Sequence, residues 1–129
     1  MKSVFLIDDD PVFVFLAERI FRNILPNLDI QTFSDGDLAV RALEKITLGG
    51  NTLPDLIFLD INMPVMDGWQ FLQYYDSRQD IIATYIPIYV VSSTISVADI
   101  ETCRQYTCVT DVLIKPINER QLKKIFLRS

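Results

Sequence analysis

Residues 56–60 read Leu56-Ile57-Phe58-Leu59-Asp60, four apolar side chains in a row closed by an acid. A strand with one wet face alternates apolar and polar residues. An unbroken apolar run instead marks a strand covered on both faces, as in a parallel sheet between helices. Working outward, the chain repeats this form. Val4–Ile7 is followed by Asp8-Asp9-Asp10, Ile86–Val91 by Ser92-Ser93-Thr94, and Val112–Ile114 by Lys115-Pro116. Leu28–Phe33 is more alternating and reads as an edge strand.

Helix-period segments separate these runs. Phe13, Leu16, Ala17, Ile20, Phe21 and Ile24 lie on one face of a first helix, with Asp10 as its cap, Pro11 at its first position and Pro26-Asn27 at its end. A second helix turns Leu38, Ala39, Ala42, Leu43 and Ile46 inward and stops at Gly49-Gly50. A third starts at the tight turn Asp67-Gly68 and presents Phe71, Leu72 and Tyr75, with Trp69 on its exposed start. Ser96 and Asp99 are spaced as a capping box for a fourth, followed by Ile100 and Cys103, the latter expected in the core. A fifth starts near Asn118, buries Leu122, Ile125 and Phe126, and carries Lys123, Lys124 and Arg128 toward its negative end. Five strand–helix alternations imply a flavodoxin-like, doubly wound α/β fold, (βα)5, with parallel strands in the order 2-1-3-4-5.

Composition narrows the function. The 129 residues fit a single domain spanning 1–129, and no output domain is expected after it. A net charge of −5 argues against binding nucleic acid or an anionic membrane. The absence of histidine rules out Ser-His-Asp and Cys-His catalysis, imidazole-bound zinc and a phosphohistidine donor role. Cys103 and Cys108 are too few for a disulfide framework and wrongly spaced for a C-x-x-C site, so they read as reduced thiols of a cytoplasmic protein. No run approaches a signal peptide or the ~20 apolar residues needed to cross a bilayer.

In an open parallel sheet, ligands bind beyond the carboxyl ends of the strands. Asp8-Asp9, Asp60, Ser92 and Lys115 end the four adjacent strands 1, 3, 4 and 5, so they should share one rim. Three carboxylates and one ammonium leave a charge that a divalent cation would cancel, and an all-oxygen donor set suits Mg2+ with phosphate oxygens. Asp60, central and next to an apolar strand, is the best nucleophile for phosphorus. Mg2+ and Lys115 would neutralise the transferring oxygens, and Ser92 could hydrogen-bond the product.

On these residues the chain resembles the receiver domain of two-component response regulators. Asp8-Asp9 after Phe5-Leu6-Ile7, Asp60-Ile61-Asn62-Met63-Pro64-Val65-Met66-Asp67-Gly68, Ser92 after Val90-Val91, and Lys115-Pro116 carry the likeness, which covers essentially the whole chain. The resemblance implies a stand-alone signalling phosphoacceptor rather than an enzyme. It would take a phosphoryl group on Asp60 from a sensor histidine kinase or histidine phosphotransfer protein. It would catalyse its own phosphorylation and slow hydrolysis, and signal to an unknown downstream protein by altered binding or onward relay. Asp9 would ligate Mg2+ directly, Asp8 through water or a hydrogen bond, and Asn62 through its backbone carbonyl, beside Asp60 itself. Lys115 would pair with a phosphoryl oxygen and precede a cis proline, Ser92 would move on phosphorylation, and the small Ser93 would leave room for phosphoryl entry. The side chains of Asn62 and Thr94 occupy positions that tune dephosphorylation in relatives. Docking on the kinase's histidine-bearing helical bundle would fall to the first helix, where Val14 and Phe15 should point outward.

One departure is plain: relatives often carry Tyr or Phe where this chain has Val112, so an aromatic rotamer switch cannot operate there. Two other readings stay open. A phosphatase of the haloacid dehalogenase type would use Asp8-x-Asp10 with a nucleophile on the first strand. A degenerate receiver would bind partners without phosphorylation, although every core position is intact.

Overall fold

The computed structural model describes residues 1–49, 52–78 and 86–127. Strands β1 (Ser3–Ile7), β2 (Asp29–Phe33), β3 (Leu56–Leu59), β4 (Ile88–Ser92) and β5 (Val109–Ile114) alternate with helices α1 (Pro11–Ile24), α2 (Gly36–Gly49), α3 (Gly68–Ser77), α4 (Val97–Arg104) and α5 (Glu119–Phe126). The strands form one sheet, β2-β1-β3-β4-β5, with every pairing parallel. This is the flavodoxin-like order read from the sequence.

The two-sided burial of β1 and β3 explains their unbroken apolar runs. Val4, Leu6 and Phe58 face one core with Ala17 and Phe21 of α1 and Leu122, Ile125 and Phe126 of α5. Phe5, Ile7, Ile57 and Leu59 face the other, with Ala39, Val40 and Leu43 of α2 and Phe71, Leu72 and Tyr75 of α3. Both edge strands, β2 and β5, keep exposed residues, and Leu28–Phe33 is an edge as its alternation indicated.

Several boundaries and faces differ from the sequence reading. β4 begins at Ile88 rather than Ile86 because the Ile86 N–H and C=O are both bonded to the Tyr75 hydroxyl, at 2.8 and 3.0 Å, and Pro87 has no N–H to offer. β5 starts three residues before its apolar run, at Val109. Its register skips Thr110, since Ile88 pairs with Val109 and Tyr89 with Asp111, and the Asp111 carboxylate accepts the Val112 N–H at 2.8 Å. On α1 the apolar stripe is centred on Ala17 and Phe21, so Val14 joins it half-buried, whereas Leu16, expected inside, is 53% exposed. Phe15 does point outward, 59% exposed, under the Arg19 guanidinium. Leu38 of α2 is exposed, its place inside taken by Val40. Trp69 is half-buried against the core beside α3 instead of lying on an exposed start.

The two caps read from sequence are present: Asp10 accepts the Val12 and Phe13 N–H groups, and Ser96 forms a capping box with Asp99. At the helix starts near Asp67 and Asn118 the structure adds capping boxes with Gln70 and Gln121. Cys103 and Cys108 are both buried free thiols. Gly50 and Arg128 lie outside the described residues. Among the described residues, no helix is long and apolar enough to cross a membrane.

Candidate functional site

Parallel strands carry their carboxyl ends to the same rim, and the backbone extends that register one residue further. Asp8 N–H donates to Phe33 O at 2.9 Å, Asp60 N–H to Ile7 O at 2.9 Å, and Lys115 N–H to Ser92 O at 3.0 Å. The residue after each apolar run is therefore placed by the sheet rather than by a free loop. This brings the expected carboxylates together: one carboxylate oxygen from each of Asp8, Asp9 and Asp60 lies within 4.8 Å of the others. Asp8 and Asp60 are buried and Asp9 is exposed. Lys115 reaches between the two buried acids, its Nζ 2.8 Å from Asp8 Oδ2 and 3.9 Å from Asp60 Oδ2. The Lys115–Pro116 bond is cis, as the resemblance implied.

Both buried acids feel the crowding. Burial, then the neighbouring Asp8 charge, push the Asp60 carboxyl up to about 6, with Lys115 pulling the other way. Burial also raises Asp8, against its bond to Lys115. Three acids against one ammonium leave negative charge uncompensated, and every donor offered is oxygen. A hard divalent cation such as Mg2+ fits this set.

The surrounding loops hold the rim in shape. Asp60 Oδ1 accepts the Asn62 N–H at 3.3 Å, and Asp8 Oδ1 accepts that of Asp10 at 2.9 Å. Gly68 closes α3 directly onto the loop after β3: its N–H donates to Ile61 O at 2.8 Å. A Cβ at Gly68 would stand 2.5 Å from Asp60 O and 2.6 Å from Ile61 Cα. The glycine is thus required for close approach to Asp60, beyond the turn that its sequence suggested. Val65, at φ 65°, sits in the left-handed region that strains a β-branched residue. Beside it, the loop offers Met66 O to the N–H of Gly36 at 2.9 Å.

Ser92 ends β4 on this rim, fully buried. Its hydroxyl is engaged locally, donating to Thr94 O and accepting from Thr94 N, both at 3.3 Å. Asn62 Nδ2 donates to Thr94 Oγ1 at 3.3 Å, linking the loop after β3 to the loop after β4. Val112 is half-buried against the small cluster of Ile61, Val90 and Cys103. A contact missed in the sequence is Phe13, read only as core. Its ring centroid lies 4.2 Å from Lys115 Nζ. The available signal was position alone: Phe13 is in the first turn of the helix that leaves the acidic rim.

Comparison with known proteins agrees with this geometry. The response regulator receiver domain matches residues 4–127. The chain belongs to that family. Receivers of this family are signalling phosphoacceptors of two-component systems, which sets aside the haloacid dehalogenase reading. The chain is similar to the regulator of RpoS of Escherichia coli K12, 30% identical over 118 residues, covering 92% of this chain and 31% of that protein. It therefore spans about a third of that relative's length. Among solved structures, a two-component response regulator from Cytophaga hutchinsonii superposes with a TM-score of 0.87 at 26% identity, covering 99% of this chain and 96% of the other. The receiver domain of a sensor histidine kinase from Pseudomonas aeruginosa superposes with a TM-score of 0.79 at 25% identity, covering 98% and 95%. That receiver has a magnesium ion coordinated in its active-site cleft.

Proposed function

We propose that this receiver takes a phosphoryl group onto Asp60 from a histidine kinase or histidine phosphotransfer protein, with Mg2+, and signals by a changed protein-binding surface or onward relay. The single observation that carries this is the convergence of Asp60 with Asp8, Asp9 and Lys115 on one rim. Asp9, Asp60, the backbone carbonyl of Asn62 and, through water or a hydrogen bond, Asp8 would hold Mg2+. Bound there, it supplies charge neutralisation for the phosphoryl oxygens.

This chain's own residues do the rest. An Asp60 carboxylate oxygen attacks phosphorus, the P–N bond of the donor's phosphoimidazole breaks, and its electron pair leaves with the imidazole, which keeps the proton on its other nitrogen. Lys115, now 3.9 Å from Asp60, is placed to meet the negative charge that arrives on the new acyl phosphate. Ser92 must leave its bonds to Thr94 to reach a phosphoryl oxygen, so the loop after β4 rearranges as the product forms. Later attack of water on the same phosphorus returns Asp60 and releases phosphate, a self-catalysed hydrolysis. Docking of the donor falls to α1, where Phe15 is exposed together with Val12 and Leu16 rather than with Val14.

Incubation with acetyl phosphate and Mg2+, followed by mass mapping, tests the assignment. One phosphoryl group is expected on Asp60 and none on Asp60→Asn. A label on Asp8, or incorporation indifferent to Asp60→Asn, overturns it.

A further inference from the structure

We propose that Phe13 is a positioning residue for Lys115, its ring face holding the ammonium in place to receive a phosphoryl oxygen on Asp60; the proposal rests on the Asp60 assignment above. Near the ammonium, among the described residues, lie Asp8 Oδ2 at 2.8 Å, Asp60 Oδ2 at 3.9 Å and the Phe13 ring centroid at 4.2 Å. The Lys115 side chain is 13% exposed, so these neighbours and little water surround the charge. The π face of an aromatic ring carries partial negative charge and attracts an ammonium, more strongly where water is excluded. Phe13 itself is anchored, half-buried and packed against the core that holds Ala17 and Phe21.

The reason a ring matters here is the lysine stem. Four methylenes leave a lone ammonium free to sample many positions. Asp8 is the nearer acid, so charge attraction alone seats the group against Asp8. The ring supplies attraction from α1, on an anchored side chain, and displaces water that would otherwise solvate the charge. The ammonium is thereby kept between the two acids before phosphorus arrives. With acetyl phosphate as donor, the Asp60 oxygen forms the new P–O bond as the acetyl P–O bond breaks. Acetate departs with the electron pair, and the acyl phosphate gains the charge that Lys115 meets.

The test combines spectroscopy and kinetics on the whole chain. In the wild type, the Lys115 Cε protons are expected upfield of their free-lysine position through the ring current of Phe13, with or without phosphorylation. In Phe13→Leu this shift vanishes, and in Phe13→Tyr it persists. At saturating Mg2+, Phe13→Leu slows phosphorylation by acetyl phosphate about five- to tenfold, while Phe13→Tyr restores the wild-type rate to within about twofold. In a Lys115→Met background, Phe13→Leu has no further effect, because the partner of the ring is gone. An unshifted Lys115 in the wild type overturns the proposal even if the leucine variant fails to fold. Equal slowing by Phe13→Leu in both backgrounds overturns it as well. Absence of phosphate from Asp60 in the wild type instead refutes the function proposed above, leaving the spectroscopic result to decide the contact between Phe13 and Lys115.

Discussion

Asp60 is costly to keep charged. Its carboxyl is raised to about 6 by burial and by Asp8, so the folded protein binds a proton there more readily than the unfolded chain does. Stability tied to this group is therefore greatest below the ordinary carboxylate range and is lost as pH rises through about 6. Asp60→Asn, without Mg2+, is expected to stabilise the neutral-pH protein by about 1–3 kcal/mol and to flatten the decline between about pH 4 and 6. Urea denaturation across that range measures both effects, and an unchanged slope would contradict the assignment of the pH dependence to Asp60. Gly68 makes the opposite case, a residue defined by what it lacks. Gly68→Ala drives a Cβ to 2.5 Å from Asp60 O, where backbone and not a pliable side chain must yield. The expected cost is about 2–4 kcal/mol, with slower phosphorylation as the Asp60 loop shifts. A wild-type midpoint in urea would show that α3 backs away freely.

At the scale of elements, the helices are unequally held. α5 buries Leu122, Ile125 and Phe126, whereas α4, of 8 residues, buries Cys103 alone. Amide exchange is expected to be faster throughout α4 than α5, and Ser96→Ala, which removes half of the α4 capping box, should widen the gap by about 1 kcal/mol of local opening. Hydrogen exchange read by mass spectrometry measures it, and equal protection of the two helices counts against a mobile α4. On α1, Phe15→Asp is expected to lower the ratio of kinase-driven to acetyl-phosphate-driven phosphorylation about tenfold by placing a charge on the docking face. An unchanged ratio removes Phe15 from that face.

The elements also show what could be read in advance. Asp8, Asp60 and Lys115 were legible because each directly follows an apolar run, and a strand end fixes the side chain after it. Leu16 and Val14 exchange their expected sides of α1 because several apolar neighbours make its stripe wide, and only packing against the core selects the centre. The start of β4 was hidden for a different reason: it depends on the Tyr75 hydroxyl, eleven residues away along the chain. Sequence placed Ser92 on the rim but not the direction of its hydroxyl, since its bonds to Thr94, two residues on, depend on a rotamer and a loop conformation that residue types alone do not select. The Phe13 ring beside Lys115 joins residues far apart in the chain and leaves no local pattern.

For the molecule as a whole, stability is expected to depend on a divalent ion held at the carboxylate rim. Mg2+ that binds only the folded chain should raise the thermal midpoint progressively, by about 2.7 kcal/mol of stability at a hundred times its dissociation constant. The gain should be larger at about pH 7.5 than at about pH 5, where Asp60, raised to about 6, holds a proton that opposes the ion. Calorimetry with and without Mg2+ at the two pH values checks this, and a Mg2+ effect that ignores pH would place the ion elsewhere.

The irregular register at Thr110 and the Asp111 carboxylate bound to the amide of Val112 bear on how copies of this chain coexist when crowded. A straight, unguarded border of a sheet invites a stranger's extended segment to add itself on. Here that border has an irregular register, and the Val112 amide is already occupied by the Asp111 carboxylate. Addition of a foreign strand along this flank is thereby disfavoured.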